Sequence, residues 1–204
     1  MLFTKIKKCR ISNDKSLIKI GKLGYFNLTG TFNKTKNNKD LKTPIELVFS
    51  NKSKLLQLAH NYDERKLFGT NYGYRSSLNK SMVSHLKEKK DLLIKTAKPK
   101  KNDSILDIGS NDGTLLNLFS NQFKKYGVDP TAKKFIKYYQ KDIKIIPKIF
   151  KKGIFNKSKK FKIITSVAMF YDLRDPLNFC KQVESNLEKD GIFHVEVAYL
   201  PDIL

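Results

Sequence analysis

The sequence predicts an α/β fold built on a parallel sheet and entered through a small β-rich N-terminal domain. Three observations predict it. Ser104-Ile105-Leu106-Asp107-Ile108-Gly109-Ser110-Asn111-Asp112-Gly113-Thr114-Leu115-Leu116 passes from an apolar run through an acid and a glycine turn into an amphipathic helix. After it, apolar runs of strand length alternate with helical stripes, and repeated strand–helix–strand units imply parallel strands with right-handed crossovers. Before it, residues 1–60 hold only short strand-like runs between polar stretches.

The elements follow in order. Leu17–Ile20, Tyr25–Leu28 and Ile45–Phe49 read as strands, with a Lys/Asn-rich loop from Asn33 to Lys42 and a further apolar segment at Leu55–Leu58. Tyr62 to Asn79 is aromatic and glycine-bearing. Leu78, Met82, Leu86 and Leu93 then fall on one helical stripe, and Pro99 to Asn102 reads as a linker. The division expected is a small domain over 1–75, a connecting helix and linker over 76–102, and a cofactor domain over 103–204. Within the last, Ile105–Ile108 is a strand and Thr114–Phe123 a helix with Leu115, Leu118, Phe119 and Phe123 inward. Tyr126–Val128 is a strand, Ala132–Gln140 a helix, Ile143–Ile146 a short strand, Lys151–Lys160 a basic loop and Phe161–Ser166 a strand. Asp175 caps a helix with Pro176 at its first position and a stripe of Leu177, Cys180, Val183 and Leu187. Gly191–Tyr199 is the last strand.

Composition narrows the function. The 204 residues include 14 Phe and 9 Tyr, enough for a real core. No apolar run reaches bilayer length and no signal-peptide pattern opens the chain, so a cytoplasmic home is the expectation. The two cysteines, Cys9 and Cys180, lie far apart and make no disulfide framework. There are 41 basic and 19 acidic residues, a net charge of +22. Such a field attracts phosphates. The basic residues are mostly Lys, scattered in pairs along the whole chain, where base and phosphate recognition favours the guanidinium fork. A solvated surface accounts for them better than a nucleic-acid interface, and a nucleotide-linked small molecule would also be welcome in that field.

The Asp107–Gly113 turn carries the chemistry. A strand–glycine-turn–helix junction brings backbone close to a bound cofactor. Asp129, sixteen residues after Gly113 in Gly127-Val128-Asp129-Pro130, stands where a ribose diol needs an acceptor. The loop is neither the dinucleotide G-x-G-x-x-G nor a phosphate loop with its lysine, which suits a nucleoside cofactor without phosphate. S-adenosylmethionine (SAM) fits, with Asp107, Gly109, Asn111, Asp112, Gly113, Asp129, Pro130 and Ser166 as the expected cofactor residues.

Asp-Ile-Gly-Ser-Asn-Asp-Gly-Thr-Leu-Leu followed by Gly-Val-Asp-Pro resembles the SAM-dependent C-methyltransferases of nucleotide-activated deoxysugars. The likeness extends through Gln57–His60, Tyr72–Ser76, Ser166–Leu173 and Glu196–Leu200. It implies a class I (Rossmann-like) methyltransferase sheet, and a C-terminal domain that this sequence does not contain. On that reading the sheet is incomplete at its C-terminal edge and the chain is a fragment, or else another element covers the edge. The family binds structural zinc through two Cys-x-x-Cys pairs. Cys9-Arg10-Ile11-Ser12 keeps one ligand and Ser50-Asn51-Lys52-Ser53 none, so zinc is not expected. The family places a Glu followed by a His, its base, near the end of the fifth strand. Glu196 matches, but Val197 stands for the His. His194 and Glu196 share a side by strand alternation, so His194 is either an acid–base group or a buried core residue. Tyr74 and Tyr199 are the other catalytic candidates, as donors to an enolate oxygen, and Tyr72 and Arg75 the substrate-binding ones. Two further readings stay open: a truncated or inactive SAM-binding remnant, and a nucleic-acid methyltransferase, which Thr165-Ser166-Val167-Ala168 does not favour because it lacks the Asn/Asp-Pro-Pro-aromatic motif.

Overall fold

The computed structural model describes residues 1–28, 30–32, 41–69 and 71–199. The chain forms two compact units: Met1–Tyr74 with Arg174–Leu177, and Arg75–Leu173 with the chain from Asn178 onward. No described helix is long and apolar enough to cross a membrane.

In the first unit, β1 (Phe3–Lys5) pairs antiparallel with β5 (His60–Tyr62). A second antiparallel sheet runs β2 (Leu17–Asn27), β3 (Lys42–Ser50), β4 (Leu55–Leu58). The runs expected as two strands, Leu17–Ile20 and Tyr25–Leu28, are one: the ladder shifts register around Gly21 and Gly24, so the strand bends through bulges instead of ending. The loop expected over Asn33 to Lys42 lies, up to residue 40, outside the described residues. The Arg10 guanidinium donates to the Leu58 and His60 carbonyls at 2.8 and 3.0 Å and to Asn61 Oδ1 at 2.7 Å, tying the N-terminal loop to β4 and β5. A single turn, α1 (Glu64–Leu67), follows, capped by Asp63.

The second unit opens with a turn at Ser76–Leu78 and α2 (Lys80–Ala97), capped by Asn79. Leu86, Leu93 and Ala97 bury on its stripe, with Met82 partly covered, whereas Leu78 precedes the helix and is exposed. Then come β6 (Ser104–Ile108), α3 (Thr114–Asn117), β7 (Lys124–Val128), α4 (Ala132–Phe135), β8 (Lys144–Ile146), β9 (Phe161–Val167), α5 (Pro176–Asn186) and β10 (Leu187–Glu196). The sheet order is β10-β9-β6-β7-β8, every pair parallel. The chain winds outward from β6 in both directions, which puts the topological switch point, where open α/β sheets take ligands, at the carboxyl ends of β6 and β9. One apolar layer joins α2 and α3 to Ile105 and Ile163; the other joins Phe179 and Val183 of α5 to Leu106, Ile108 and Ile164.

Four expected elements differ. The helix expected over Ala132–Gln140 is α-helical only through Phe135 and goes on as a 3-10 turn over Ile136–Tyr138. The helix expected over Thr114–Phe123 closes after Asn117. The Phe119 carbonyl, which a continuing helix would use, accepts instead from Lys125 Nζ, although Phe119 and Phe123 still bury. On α5 the buried stripe is Phe179 and Val183, while Leu177 and Cys180 are exposed. The Phe179 ring packs edge-on against Phe150 and Phe170, and burying that ring sets the helix's rotation. The last strand starts at Leu187, bulges before Ile192 and ends at Glu196, leaving Val197 and Tyr199 exposed beyond it.

Lys125 is a cation inside this core. Its side chain has no exposed surface, and Nζ reaches Phe119 O, Asn121 Oδ1, Gln140 Oε1 and Asp142 Oδ2 at 2.9–3.2 Å. Removing it leaves four acceptors short of a donor and the stem's space empty. Lys125→Ala is expected to cost about 3 kcal/mol in urea unfolding, and Lys125→Met, which refills the space, clearly less. Equal losses would mean that the stem contributes nothing.

Candidate functional site

The site is the turn between β6 and α3, built inside the second unit. Gly109, Asn111 and Gly113 all take positive φ, at 81°, 50° and 78°. At the two glycines there is no room for more: a Cβ on Gly109 would lie 3.0 Å from Met169 Cγ, and one on Gly113 2.6 Å from the Tyr139 ring. Asn111 accepts the left-handed backbone as its residue type most readily does among non-glycines.

Hydrogen bonds fix each part of the turn. Gly109 N–H donates to Val128 O at 2.8 Å, holding the turn to β7. Asp129 Oδ2 accepts from Asn111 N–H at 2.9 Å, and Oδ1 accepts from the Thr131 N–H and hydroxyl at 2.6 and 2.5 Å. The Tyr139 hydroxyl donates to Asn111 O at 2.9 Å and meets Ser110 Oγ at 2.8 Å. Asp112 Oδ2 accepts from the Ser77 N–H and hydroxyl and Oδ1 from the Thr114 hydroxyl; Asn111 Oδ1 accepts from Ser76 N–H at 3.0 Å. The lead-in to α2 is thereby stitched to the turn.

Burial divides the acids. Burial pushes Asp107 up to about 7, against the Thr165 hydroxyl that donates to it at 2.7 Å, and the Asp129 charge raises it further. Burial also raises Asp129, against its bonds from Thr131 and Asn111. Burial would raise Asp112 too, but hydrogen bonds from Ser77 and Thr114 hold it below the ordinary range.

The expected site residues fall into groups. Asp107, Gly109, Asn111, Gly113, Asp129 and Pro130 come together at the tips of β6 and β7. Asp129 Oδ2 accepts from Asn111 N–H, and a carboxylate oxygen has a second lone-pair direction that a hydroxyl could use. Ser166 stands near the carboxyl end of β9, fully buried, its hydroxyl without a partner among the described residues. Asp112, expected to touch the cofactor, is occupied as the joint between turn and helix. Arg75, expected to hold substrate, stacks 3.5 Å from the Tyr138 ring centre, lies 3.4 Å from Asp112 and donates to Ser77 Oγ at 2.8 Å, so it frames the same joint. Tyr72 and Tyr74 belong to the first unit, Tyr74 partly exposed. Tyr199 lies past β10 and is exposed.

Glu196 closes β10 with its carboxylate against His85, Nε2 standing 2.8 Å from both oxygens, and with Lys89 Nζ 3.8 Å away. His194 Nε2 is sealed without a partner among the described residues; burial lowers its pKa, Glu196 raises it, and Lys89 and His85 lower it. His85, Tyr138 and Tyr139 were not legible as site residues. His85 lies 111 residues from Glu196, and only its position on the inner stripe of α2, three after Met82, set it apart.

In the first unit the four positions of the Cys9–Ser12 and Ser50–Ser53 pairs converge. Cys9 Sγ lies 3.1 Å from Ser53 Oγ and Ser12 Oγ 3.3 Å from Ser50 Oγ, which also donates to Asp14. Burial would raise the Cys9 thiol, but hydrogen bonds from Ser12, Ser53 and Ile11 bring it down to about 6. No group of three His, Cys, Asp or Glu able to hold a metal occurs among the described residues. One thiol and three hydroxyls are a poor donor set for zinc.

A five-stranded parallel sheet in this order, with a glycine turn after its central strand and an acid at the next, defines a class I, Rossmann-like methyltransferase fold. A family described as a methyltransferase domain matches residues 82–202, more than half of the chain, and the chain belongs to that family. It is similar to the C-methyltransferase NovU of Streptomyces niveus, 25% identical over 206 aligned positions covering 98% of this chain and 49% of that protein. It is also similar to the tRNA U34 carboxymethyltransferase of Campylobacter lari, 27% identical over 110 positions, 48% of this chain and 36% of that one. The chain therefore spans half or less of the length of these relatives. Among solved structures, the plantazolicin methyltransferase BpumL, in complex with a triazolic analogue and SAH, matches 59% of this chain and 48% of its own, at TM-score 0.49 and 18% identity.

Two outcomes follow from the acids and the cluster. Asp107 is raised in the folded state, so stability falls as pH climbs from its unfolded pKa near 4 through about 7, and the penalty is constant above that. Asp107→Asn, which keeps the shape without the charge, is expected to unfold several degrees above the parent at pH 8 and to lose that gain at pH 4. A gain independent of pH would exclude the burial explanation. Ser12→Cys, Ser50→Cys and Ser53→Cys together are expected to create a tetrahedral thiolate site, seen as stoichiometric cobalt binding by ligand-field absorption. Absent binding would mean that the four side chains do not converge in solution.

Proposed function

We propose that this chain binds SAM and belongs to an enzyme that methylates a carbon beside a keto group in a nucleotide-activated sugar. The observation that carries this reading is similarity across 98% of the chain to a C-methyltransferase, added to the Asp-Ile-Gly-Ser-Asn-Asp-Gly and Gly-Val-Asp-Pro motifs. The tRNA U34 carboxymethyltransferase matches only 48% of the chain, against 98% for the C-methyltransferase, and so weighs less in the reading of the substrate.

The residues at the strand tips suit the cofactor. Asp129 Oδ2 would accept a ribose hydroxyl while continuing to hold Asn111 N–H. Pro130 fixes the backbone just beyond that carboxylate, and the orphaned Ser166 hydroxyl offers a buried donor at β9. The loop from Gly109 to Gly113 is already tied by hydrogen bonds to Val128, Asp129 and Tyr139, an arrangement that would lose little ordering entropy on binding. When bound, SAM supplies an electrophilic methyl group. The chain's own task is to hold an acceptor beside that methyl and to remove the acceptor's proton. The net charge of +22 suits a substrate that carries a diphosphate.

Calorimetric titration tests the cofactor, and a methyl-transfer panel tests the substrate. Asp129→Ala is expected to weaken SAM by about tenfold or more, roughly 1.4 kcal/mol. Equal affinity in the variant, or none in the parent, would contradict the placement. With the parent, methyl transfer to a 4-keto-6-deoxy nucleotide sugar is expected and transfer to tRNA is not; the reverse would overturn the sugar assignment.

A further inference from the structure

We infer that His85 takes the acceptor's proton and that Glu196 is the residue that positions it; the inference rests on the methyl-transfer reading above. His85 sits on α2 and reaches the tip of β10, where Nε2 lies 2.8 Å from both Glu196 oxygens. Lys89, one turn further along α2, stands 3.8 Å from the same carboxylate and adds its positive charge beside it. The groups facing the histidine are thus Glu196, Lys89 and, two residues before Glu196 on the same strand face, His194.

The place of this pair is what gives it a task. Glu196 is in register with Val167, the last residue of β9, and its carbonyl accepts from Ala168 N–H at 2.9 Å. Ala168 turns through a positive φ of 53°, and the next residue, Met169, packs against Gly109. The pair therefore lies on the carboxyl rim of the same sheet, two strands from β6, or about 10 Å at ordinary strand spacing. The turn and Asp129 assign the β6–β7 half of the rim to the cofactor. The β9–β10 half is left for the acceptor, and His85 stands over it.

The geometry also sets the protonation pattern. A carboxylate facing Nε2 requires the hydrogen there, which leaves the lone pair on Nδ1. The described residues show no hydrogen bond at Nδ1, and the His85 side chain is 36% exposed, the access that the proposal requires of an acceptor. His194 is the poorer base: its Nε2 is closed to solvent and burial depresses its pKa. In the step, the bond between the acceptor carbon and its hydrogen breaks. The proton passes to Nδ1, the electron pair moves to the keto oxygen as an enolate, and the imidazolium is stabilised by Glu196. The reverse transfer returns the proton, so the step is read without any methyl transfer.

The test is hydrogen–deuterium exchange in D2O on thymidine diphosphate 4-keto-6-deoxyglucose, with S-adenosylhomocysteine (SAH) added. The parent is expected to exchange the hydrogen beside the keto group. His85→Gln is expected to slow exchange at least about 100-fold while SAH affinity stays within about twofold. Glu196→Gln is expected to slow it about tenfold and move its pH profile, with Glu196→Asp restoring part of the rate. Exchange at the parent rate in His85→Gln would overturn the assignment. If the parent exchanges nothing on this sugar, the sugar reading fails, and nitrogen-15 NMR of the three histidines decides the pair. An Nε2–H tautomer at His85 that shifts in Glu196→Gln sustains the pairing; an Nδ1–H tautomer overturns it.

Discussion

The hydrogen bond from Asn111 N–H to Asp129 holds the site in shape. It closes a left-handed turn onto the tip of the neighbouring strand, and the other constraints have meaning only around it. Gly109 gives the bend, Gly113 gives clearance beneath Tyr139, and Tyr139 fixes the Asn111 carbonyl from the other side. The two glycines take their positive φ freely, whereas Asn111 holds its left-handed backbone at a cost that its surroundings over-determine. On the proposed reading, the same carboxylate that holds Asn111 would also accept from a ribose, so the shape of the floor and the grip on the ligand would be a single device.

A second constraint runs along the face of the sheet covered by α2. Asp107 with Thr165, then His194, then Glu196 with His85 place polar groups on three neighbouring strands in an otherwise apolar layer. A buried polar row is costly unless its members are paired. Asp107 lowers that cost by favouring its protonated form, and Glu196 by pairing with His85 and Lys89 from the helix. Asp112 and Arg75 join the start of that helix to the turn, so α2 is registered at once against the cofactor floor and against the β10 tip.

Much of this was legible in residue order, and the reasons differ by element. The strand–turn–helix at Asp107–Gly113 and the acid at Asp129 could be read because covalent neighbours make them. The parallel order of the sheet followed from the alternation of strand and helix. Helix ends were less legible: α3 stops where Lys125, distant in register, takes a carbonyl, and α5 turns to bury Phe179 in place of the aliphatic stripe. Arg75 and Asp112 were picked out by charge alone, and their contacts with Ser77 and with each other were not legible in residue order. His85 was invisible for the same reason, its meaning lying wholly in a contact across 111 residues. The Cys9 and Ser50 pairs, in contrast, are local spacings, and their convergence in space follows from β3 and β4 closing over the N-terminal loop.

The central claim is that the turn after β6, fastened to Asp129, is where the nucleoside cofactor lies. The most direct measurement is a backbone amide NMR titration of the chain with SAH. The account predicts that the largest shifts fall on Gly109 to Gly113 and on Asp129 and its neighbours, with the amides of β2 and β3 unmoved. Shifts concentrated elsewhere, or none at saturating SAH, would contradict it.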